Sequence, residues 1–209
     1  MKKIFFILIT IALFSCEYRE KKIKVSLLPL GNVSAEYLDS ISGALKNEYH
    51  FEVEILPEIK IPENFFINIK SPRYRADLII KHLLTIKPDS VDYIMGITEY
   101  DISVTKRDEN GNIKTPESKY SDWGVFGFGY VENRSSIIST FRFKNDDQKI
   151  FFLRLQKIAM HELGHNLGLP HCKNKMCVMC DAAETIRTID RVNKTLCKDC
   201  RAKIQQIIF

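Results

Sequence analysis

The chain has 209 residues, a hydrophobic fraction of 45% and a formal net charge of +5. Its lysines and arginines are spread along the sequence, and no basic run is interleaved with aromatic residues, which excludes the usual footprint of a nucleic-acid-binding protein. There is no internal repeat and no low-complexity stretch. This length suits one domain with a full hydrophobic core.

Residues 1–15 are predicted to be a targeting segment. Lys2 and Lys3 form a short positive region, and residues 4–14 are apolar except for Thr10. An apolar run of this length is too short to span a bilayer and fits the core of a signal peptide. Removal of the segment takes away these two lysines, so the formal net charge of +5 falls to +3.

The targeting segment ends in Leu-Phe-Ser-Cys at residues 13–16, which resembles a bacterial lipobox. By that resemblance the signal is cut before Cys16 and the cysteine is lipidated, so that the protein is exported and anchored to the cell envelope. An ordinary secretory signal with an incidental cysteine is the alternative. Residues 16–22 are mostly charged and predict a short tether, and residues 23–209 are predicted to form the one folded domain.

Strands and helices are predicted to alternate after the tether. Runs of β-branched and apolar residues indicate the strands, and apolar residues three and four apart, such as Leu38 and Ile41, indicate the helices. The predicted strands are residues 23–30, 51–56, 91–98, 123–131 and 136–141, and the predicted helices are residues 34–49, 74–86 and 145–168. Ser34 and Asn145 are the expected N-caps. The alternation predicts an α/β sheet with one hairpin near its edge.

Two connecting stretches lack a regular pattern. Residues 57–72 are predicted to be irregular. Residues 108–121 are polar and contain Gly111 and Pro116, so they are predicted to form a mobile surface loop.

Residues 161–171 read His-Glu-Leu-Gly-His-Asn-Leu-Gly-Leu-Pro-His and carry the strongest functional pattern in the chain. On a helix, residues four apart lie on one face, so His161 and His165 present two imidazoles to one metal ion. Glu162 is one step round the helix, close enough to reach a metal-bound water without being a ligand. The alternative is an amphipathic helix whose polar residues only face solvent.

The end of the same pattern supplies a third ligand. Gly168 is the kind of residue that most easily ends a helix in a left-handed turn, and Pro170 keeps the helix from resuming. His171 then supplies a nitrogen from outside the helix. Three protein ligands leave one of the four positions of zinc open for water, which is the arrangement of a catalytic site.

Five cysteines follow the histidines, at Cys172, Cys177, Cys180, Cys197 and Cys200. Two spaced pairs, Cys172 with Cys177 and Cys197 with Cys200, suit a closed, tetrahedral structural zinc site. Disulfides are the alternative, because an exported protein meets oxidising surroundings. Cys180 is the expected spare cysteine, although it can also replace one of the four ligands.

The histidines and cysteines together resemble the archaemetzincins, a family of zinc metallopeptidases in the metzincin clan. The shared pattern is HELGHNLGLPHC, four residues, Cys177, one residue, Met179, seventeen residues, Cys197, two residues and Cys200. Weaker similarities lie upstream, at residues 28–31, 73–76, 96–101 and 125–127. The resemblance implies a compact metzincin-like fold with a twisted, mostly parallel sheet, an antiparallel edge strand, a long active-site helix and a C-terminal segment fastened by zinc.

The resemblance also implies the roles of individual residues. His161, His165 and His171 would bind a catalytic zinc, Glu162 would be the base, and Met179 would form the turn beneath the active site. Four cysteines would bind a second, structural zinc: Cys172, Cys177, Cys197 and Cys200. The cofactors expected are therefore two zinc ions, and the expected partner is a peptide or protein substrate.

The predicted reaction is hydrolysis of a peptide bond by a metal-activated water, with Glu162 moving the proton. A non-catalytic, zinc-held surface lipoprotein that only binds its partner is an alternative, against which the intact Glu162 argues. A zinc-chelating or metal-sensing protein is another, but it leaves Glu162 and Gly168 without a role. The protein is expected to be a monomer that meets the membrane through the lipidated Cys16.

The substrate is expected, from the same resemblance, to lie extended beside an edge strand. The candidate is residues 125–131, where Gly127 and Gly129 allow another backbone to approach closely. A buried hairpin strand, in which glycine merely avoids a clash, is the alternative.

Overall fold

The computed structural model of the protein describes residues 22–181 and 185–208. The predicted targeting segment, Cys16 and all but the last residue of the predicted tether lie outside the described residues. None of the helices within the described ranges is both long enough and apolar enough to cross a membrane.

The strands of the described ranges form two sheets. They are β1 (Lys24–Pro29), β2 (Glu52–Ile55), β3 (Phe66–Asn68), β4 (Pro72–Arg75), β5 (Tyr93–Thr98), β6 (Ile102–Val104), β7 (Trp123–Val125), β8 (Gly127–Gly129) and β9 (Ser135–Ser139). The larger sheet has the order β2-β1-β5-β9-β8. Its neighbouring strands are parallel except for β8, which lies at the edge antiparallel to β9. This confirms the predicted α/β fold with a mostly parallel sheet and an antiparallel edge strand.

Helices cover both faces of the larger sheet. They are α1 (Ala35–Tyr49), α2 (Ala76–Ile86), α3 (Glu117–Tyr120), α4 (Gln148–Asn166), α5 (Ile186–Arg191) and α6 (Lys198–Ile208), and Glu63–Phe65 form a 3-10 turn. Successive side chains of a strand point to opposite faces. Leu27 of β1 therefore packs into the core under α1 and α4, whereas Leu28 packs into the core under α2. The central strands are buried on both faces, as expected for parallel strands.

The smaller sheet, of order β3-β4-β6-β7, shows that the prediction of irregular chain at residues 57–72 was wrong for residues 66–68, which form β3, and for Pro72, which begins β4. Its strands are three or four residues long, which is too short to display an alternating pattern. Residue Tyr74 belongs to β4, so α2 begins two residues later than predicted, at Ala76.

The strand predicted at residues 123–131 is two strands that belong to different sheets. β7 pairs antiparallel with β6 in the smaller sheet, and β8 pairs antiparallel with β9 in the larger sheet. Phe126 alone separates them, and its carbonyl accepts a hydrogen bond from Ser139 N–H at 2.8 Å. The segment therefore joins the two sheets and lies between them.

The helix that carries the histidines begins later than predicted. Its N-cap is Asp147, whose side chain accepts hydrogen bonds from the N–H groups of Lys149 and Ile150. Asn145, the predicted cap, instead accepts a hydrogen bond from Asp147 N–H at 2.9 Å. Ser34 does occupy the N-cap position of α1, but its side chain forms no capping hydrogen bond.

Candidate active site

The C-terminal part of α4 lines a cleft of about 560 Å³ together with β8 and the start of β7. His161 and His165 both line it. Gly168 has a φ of +89°, and its N–H donates to His165 O at 2.9 Å, which ends the helix. The turn brings His171 back over α4, where its ring centroid lies 5.4 Å from that of His161 and 4.9 Å from that of His165.

Backbone carbonyls fix the orientation of the two helical imidazoles. His161 Nδ1 lies 2.8 Å from Val178 O, and His165 Nδ1 lies 2.8 Å from Leu169 O. Because a carbonyl only accepts, each Nδ1 must carry the proton and donate it. The Nε2 atoms are then unprotonated in the neutral imidazoles, and they lie 3.0 Å apart.

The paired Nε2 atoms fit a bound cation. Burial lowers the pKa of His161 to about 3 and also lowers that of His165, so both rings are neutral near pH 7. Two unprotonated nitrogens facing each other repel unless a cation lies between them. One ligand atom from each of His161, His165 and His171 falls within 4.8 Å of the others. Three imidazoles, two of them oriented by outer hydrogen bonds, are a donor set that suits zinc.

Glu162 opens into the same cleft beside the histidines. The residue is 7% exposed, and none of the described residues donates a hydrogen bond to its carboxylate. Burial raises the pKa of Glu162 to about 8. Gly127 of β8 provides its space, because a Cβ added there would lie 2.6 Å from Oε1.

Met179 packs beneath the active-site helix, as the family resemblance implied. The side chain is fully buried, and its sulfur occupies the space next to Gly164. Gly164 lies between the two helical histidines in the sequence. Its carbonyl accepts a hydrogen bond from Cys172 N–H at 2.8 Å. The segment that carries His171 is thereby fastened to the turn under the helix.

Four of the five cysteines lie together in the C-terminal segment. The Sγ atoms of Cys172 and Cys197 are 3.7 Å apart, and those of Cys177 and Cys200 are 3.8 Å apart. A tetrahedral site with zinc–sulfur bonds of about 2.3 Å places neighbouring sulfurs about 3.8 Å apart. A disulfide would need about 2.05 Å. Cys180 is buried but lies outside the group.

Asn166 is a residue of the site that the sequence analysis did not identify. Its Nδ2 donates to Ser135 O at 2.9 Å and to Tyr130 O at 3.3 Å, which ties the β8–β9 hairpin to the end of α4. The available signal was its position four residues after Glu162, on the same helical face.

Two charged residues at the cleft were also not identified from the sequence. Lys157, four residues before His161, donates from Nζ to Ile189 O at 2.9 Å and holds α5 against α4. Asp181 places its carboxylate 3.8 Å from His171 Nδ1. Asp181 lies between Cys177 and Cys197 in the sequence and carried no local signal, because its proximity to His171 depends on how residues 172–180 fold.

Comparison with known proteins identifies the family. The family model described as peptidase family M54 matches residues 28–206. The archaemetzincin of Haloquadratum walsbyi is 30% identical over 185 residues, covering 84% of this chain and 96% of the relative. The archaemetzincin of Halobacterium salinarum strain R1 is 28% identical over 190 residues, covering 87% and 99%.

Solved structures show the same fold. The crystal structure of archaemetzincin from Methanopyrus kandleri has a TM-score of 0.75 at 23% identity, covering 90% of this chain and 97% of that one. The structure from Archaeoglobus fulgidus, complexed with malonate, has a TM-score of 0.69 at 24% identity, covering 87% and 99%. With the family match over most of the chain, these findings confirm the predicted resemblance: the protein belongs to peptidase family M54 and is a zinc metallopeptidase.

Proposed function

We propose that the protein hydrolyses peptide bonds at the cleft, with His161, His165 and His171 holding the catalytic zinc and Glu162 acting as general base. The observation that carries this proposal is the pair of unprotonated Nε2 atoms that opens into the same cleft as a desolvated carboxylate. When bound, zinc supplies a polarised scissile carbonyl and an attacking water whose pKa falls from about 15.7 towards about 7.

Glu162 moves the proton in this proposal. Its carboxylate accepts a proton from the attacking water and returns it to the leaving amine. Burial raises the pKa of the Glu162 carboxyl to about 8, which favours its protonated form near pH 7. A cation held by the three histidines lowers this pKa again, because a nearby positive charge stabilises the carboxylate that accepts the proton. A protein that only binds a partner has no use for a carboxylate kept from water beside three imidazoles.

Within residues 125–131, which were predicted to bind the substrate, we assign that role to β8. This strand is hydrogen-bonded to β9 on one side, and it ends the order of the larger sheet. Gly127, Phe128 and Gly129 all line the cleft. An extended peptide therefore adds to the edge of β8 as a further strand, with main-chain hydrogen bonds supplying affinity.

Changing Gly127 to alanine is expected to lower kcat by about 100-fold or more, because the added Cβ displaces the Glu162 carboxylate that moves the proton. Zinc content should stay unchanged, because the three atoms nearest to the added Cβ all belong to Glu162 and none to a histidine. Gly129→Ala is the matched control on the same strand, since its Cβ would meet only neighbours at 3.1 Å or more. Peptide cleavage rates and metal analysis measure both effects. A Gly127→Ala protein with the parent kcat would show that β8 does not set the position of Glu162.

We also propose that four cysteines bind a second, structural zinc: Cys172, Cys177, Cys197 and Cys200. Their sulfur separations match a tetrahedral thiolate site, and two backbone N–H groups already point at the sulfurs. Cys197 N–H lies 3.3 Å from Cys177 Sγ, and Asn174 N–H lies 3.4 Å from Cys172 Sγ. Such donors stabilise thiolates, which are the metal-binding form of cysteine.

The lipid anchor at Cys16 remains a proposal that rests on the sequence of residues 1–16. The mature protein is expected to begin at Cys16, to carry lipid mass and to partition into detergent. Cys16→Ala should release the protein from membranes or block its processing, because the acylated thiol is removed. N-terminal sequencing and intact mass spectrometry measure this. A mature N-terminus downstream of Cys16 without lipid mass would leave ordinary secretion as the explanation.

A further inference from the structure

On the side of the cleft that the smaller sheet forms, a lysine ammonium lies over an aromatic ring. Lys106 Nζ lies 4.2 Å from the centroid of the Trp123 ring, and both residues line the cleft. Lys106 is the second residue after the end of β6, and Trp123 begins β7, paired in register with Val104. Both side chains are half-buried, so the ring and the ammonium hold each other in place.

The positive charge on this wall is not neutralised by the protein. Lys106 forms no ion pair with any residue in the ranges 22–181 and 185–208. Asp77, the acidic residue that lines this part of the cleft, already pairs with Arg75 at 3.0 Å. The indole N–H of Trp123 is buried and has no acceptor among the described residues. The half-buried ammonium of Lys106 thus has no acidic partner on this wall, and it suits a ligand that only accepts, such as a carboxylate.

The chain path places this wall at a defined distance from the reaction centre. β7 and β8 are consecutive, with Phe126 alone between them, and Gly127 faces the Glu162 carboxylate. Trp123 is four residues before Gly127. At about 3.3 Å per extended residue, a peptide that follows β8 onto β7 travels about 13 Å between the two points.

We propose that Lys106, held by Trp123, is a specificity-determining residue that binds the side-chain carboxylate of a substrate Asp or Glu three or four positions from the scissile bond. The inference rests on the proposed peptide hydrolysis at the cleft, and it names the substrate class as acidic peptides. A carboxylate on the half-buried ammonium forms a charge-assisted hydrogen bond, which is stronger than one between neutral groups.

The test uses blocked decapeptides of alanine, glycine and leucine that carry a single Glu, Gln or Lys at successive positions. Cleavage gives kcat/KM for each peptide with the zinc-loaded parent, with Lys106→Met and with Lys119→Met. Lys119 is the matched control, because its Nζ lies 5.2 Å from the same ring centroid but the residue does not line the cleft. Both variants remove one positive charge and keep a long side chain.

Binding is measured separately from turnover through the single tryptophan of the chain, Trp123. The Glu162→Gln variant is titrated with each peptide, and the change in tryptophan emission gives Kd. This measurement distinguishes the inference from the proposed function. If no peptide is cleaved, the proposed function fails, but tighter binding of the Glu peptide still supports the Lys106 subsite.

At one position, the parent is expected to prefer Glu over Gln by about threefold to tenfold in kcat/KM and in Kd. Lys106→Met should abolish this preference, Lys119→Met should retain it, and higher salt should weaken it. Equal values for the Glu and Gln peptides at every position would overturn the inference. A Glu preference that survives in Lys106→Met would overturn it as well.

Discussion

Replacing Glu162 by glutamine is expected to lower kcat by about 100-fold to 10,000-fold while the metal content stays at the parent level. Glutamine has the same shape but cannot accept a proton from the attacking water. The three histidines keep their ligand atoms, because the orientation of His161 and His165 depends on Val178 O and Leu169 O and not on Glu162. Cleavage rate and zinc content, measured on one preparation, test both parts.

His165→Ala is the complementary variant, since it removes a ligand and leaves the base in place. It should lose the zinc of the cleft and its activity together, and added zinc should restore little of either. Glu162→Gln protein that cleaves peptides at the parent rate would show that another group moves the proton. If the Glu162→Gln protein lost zinc as the His165→Ala protein does, Glu162 would be needed to hold the metal and not to accept a proton from the water.

The parts of the fold that could be predicted are the long elements with a strong period. β1 and β5 are rich in apolar or β-branched residues, β9 has Ile137 and Ile138 at its centre, and α1 and α2 show clear helical spacing. The smaller sheet could not be predicted, because strands of three or four residues carry almost no pattern. The division of residues 123–131 at Phe126 is likewise a tertiary effect, since only the pairing with β6 and β9 reveals it.

The residues of the candidate site likewise fall into those that local sequence spacing places together and those that only tertiary packing brings to the cleft. The histidines and Glu162 lie within 11 residues of one helix and its terminal turn, so local geometry was sufficient to place them together. Lys106 and Asp181 reach the cleft through pairing and packing that no local spacing encodes. Gly127 was identified as a place where a backbone approaches closely, but the group that fills its space is the Glu162 carboxylate.

The two candidate metal sites are connected through the backbone. His171 and Cys172 are adjacent in the chain, so a ligand of one site directly precedes a ligand of the other. Cys172 N–H donates to Met179 O, and Met179 packs under Gly164 of α4. The cysteine group therefore sets where residues 171–179 lie against the helix, and a change in it should alter the position of His171.

Cys197→Ser is the variant that tests this connection, and it should remove the proposed structural zinc while the zinc of the cleft stays bound. Structural zinc contributes about 10–16 kcal/mol in zinc-finger peptides, so its loss should unfold the C-terminal segment. That segment has little sheet of its own, and it is attached to α1 through contacts such as Leu196 N–H with Glu48 Oε1 at 3.0 Å. Melting temperature should fall, and kcat/KM should fall with it because His171 loses its support.

Cys180→Ser is the matched control, because Cys180 is also a buried free thiol but lies outside the group of four. It should keep both zinc ions and most of the activity. Native mass spectrometry of the intact protein counts the ions and detects disulfides by mass. One zinc and two disulfides, found after aerobic purification from the native host, would contradict the four-thiolate site. In that case the disulfides would hold His171 in place. Reduction of the disulfides should then impair catalysis, because no structural zinc would be present to hold the segment.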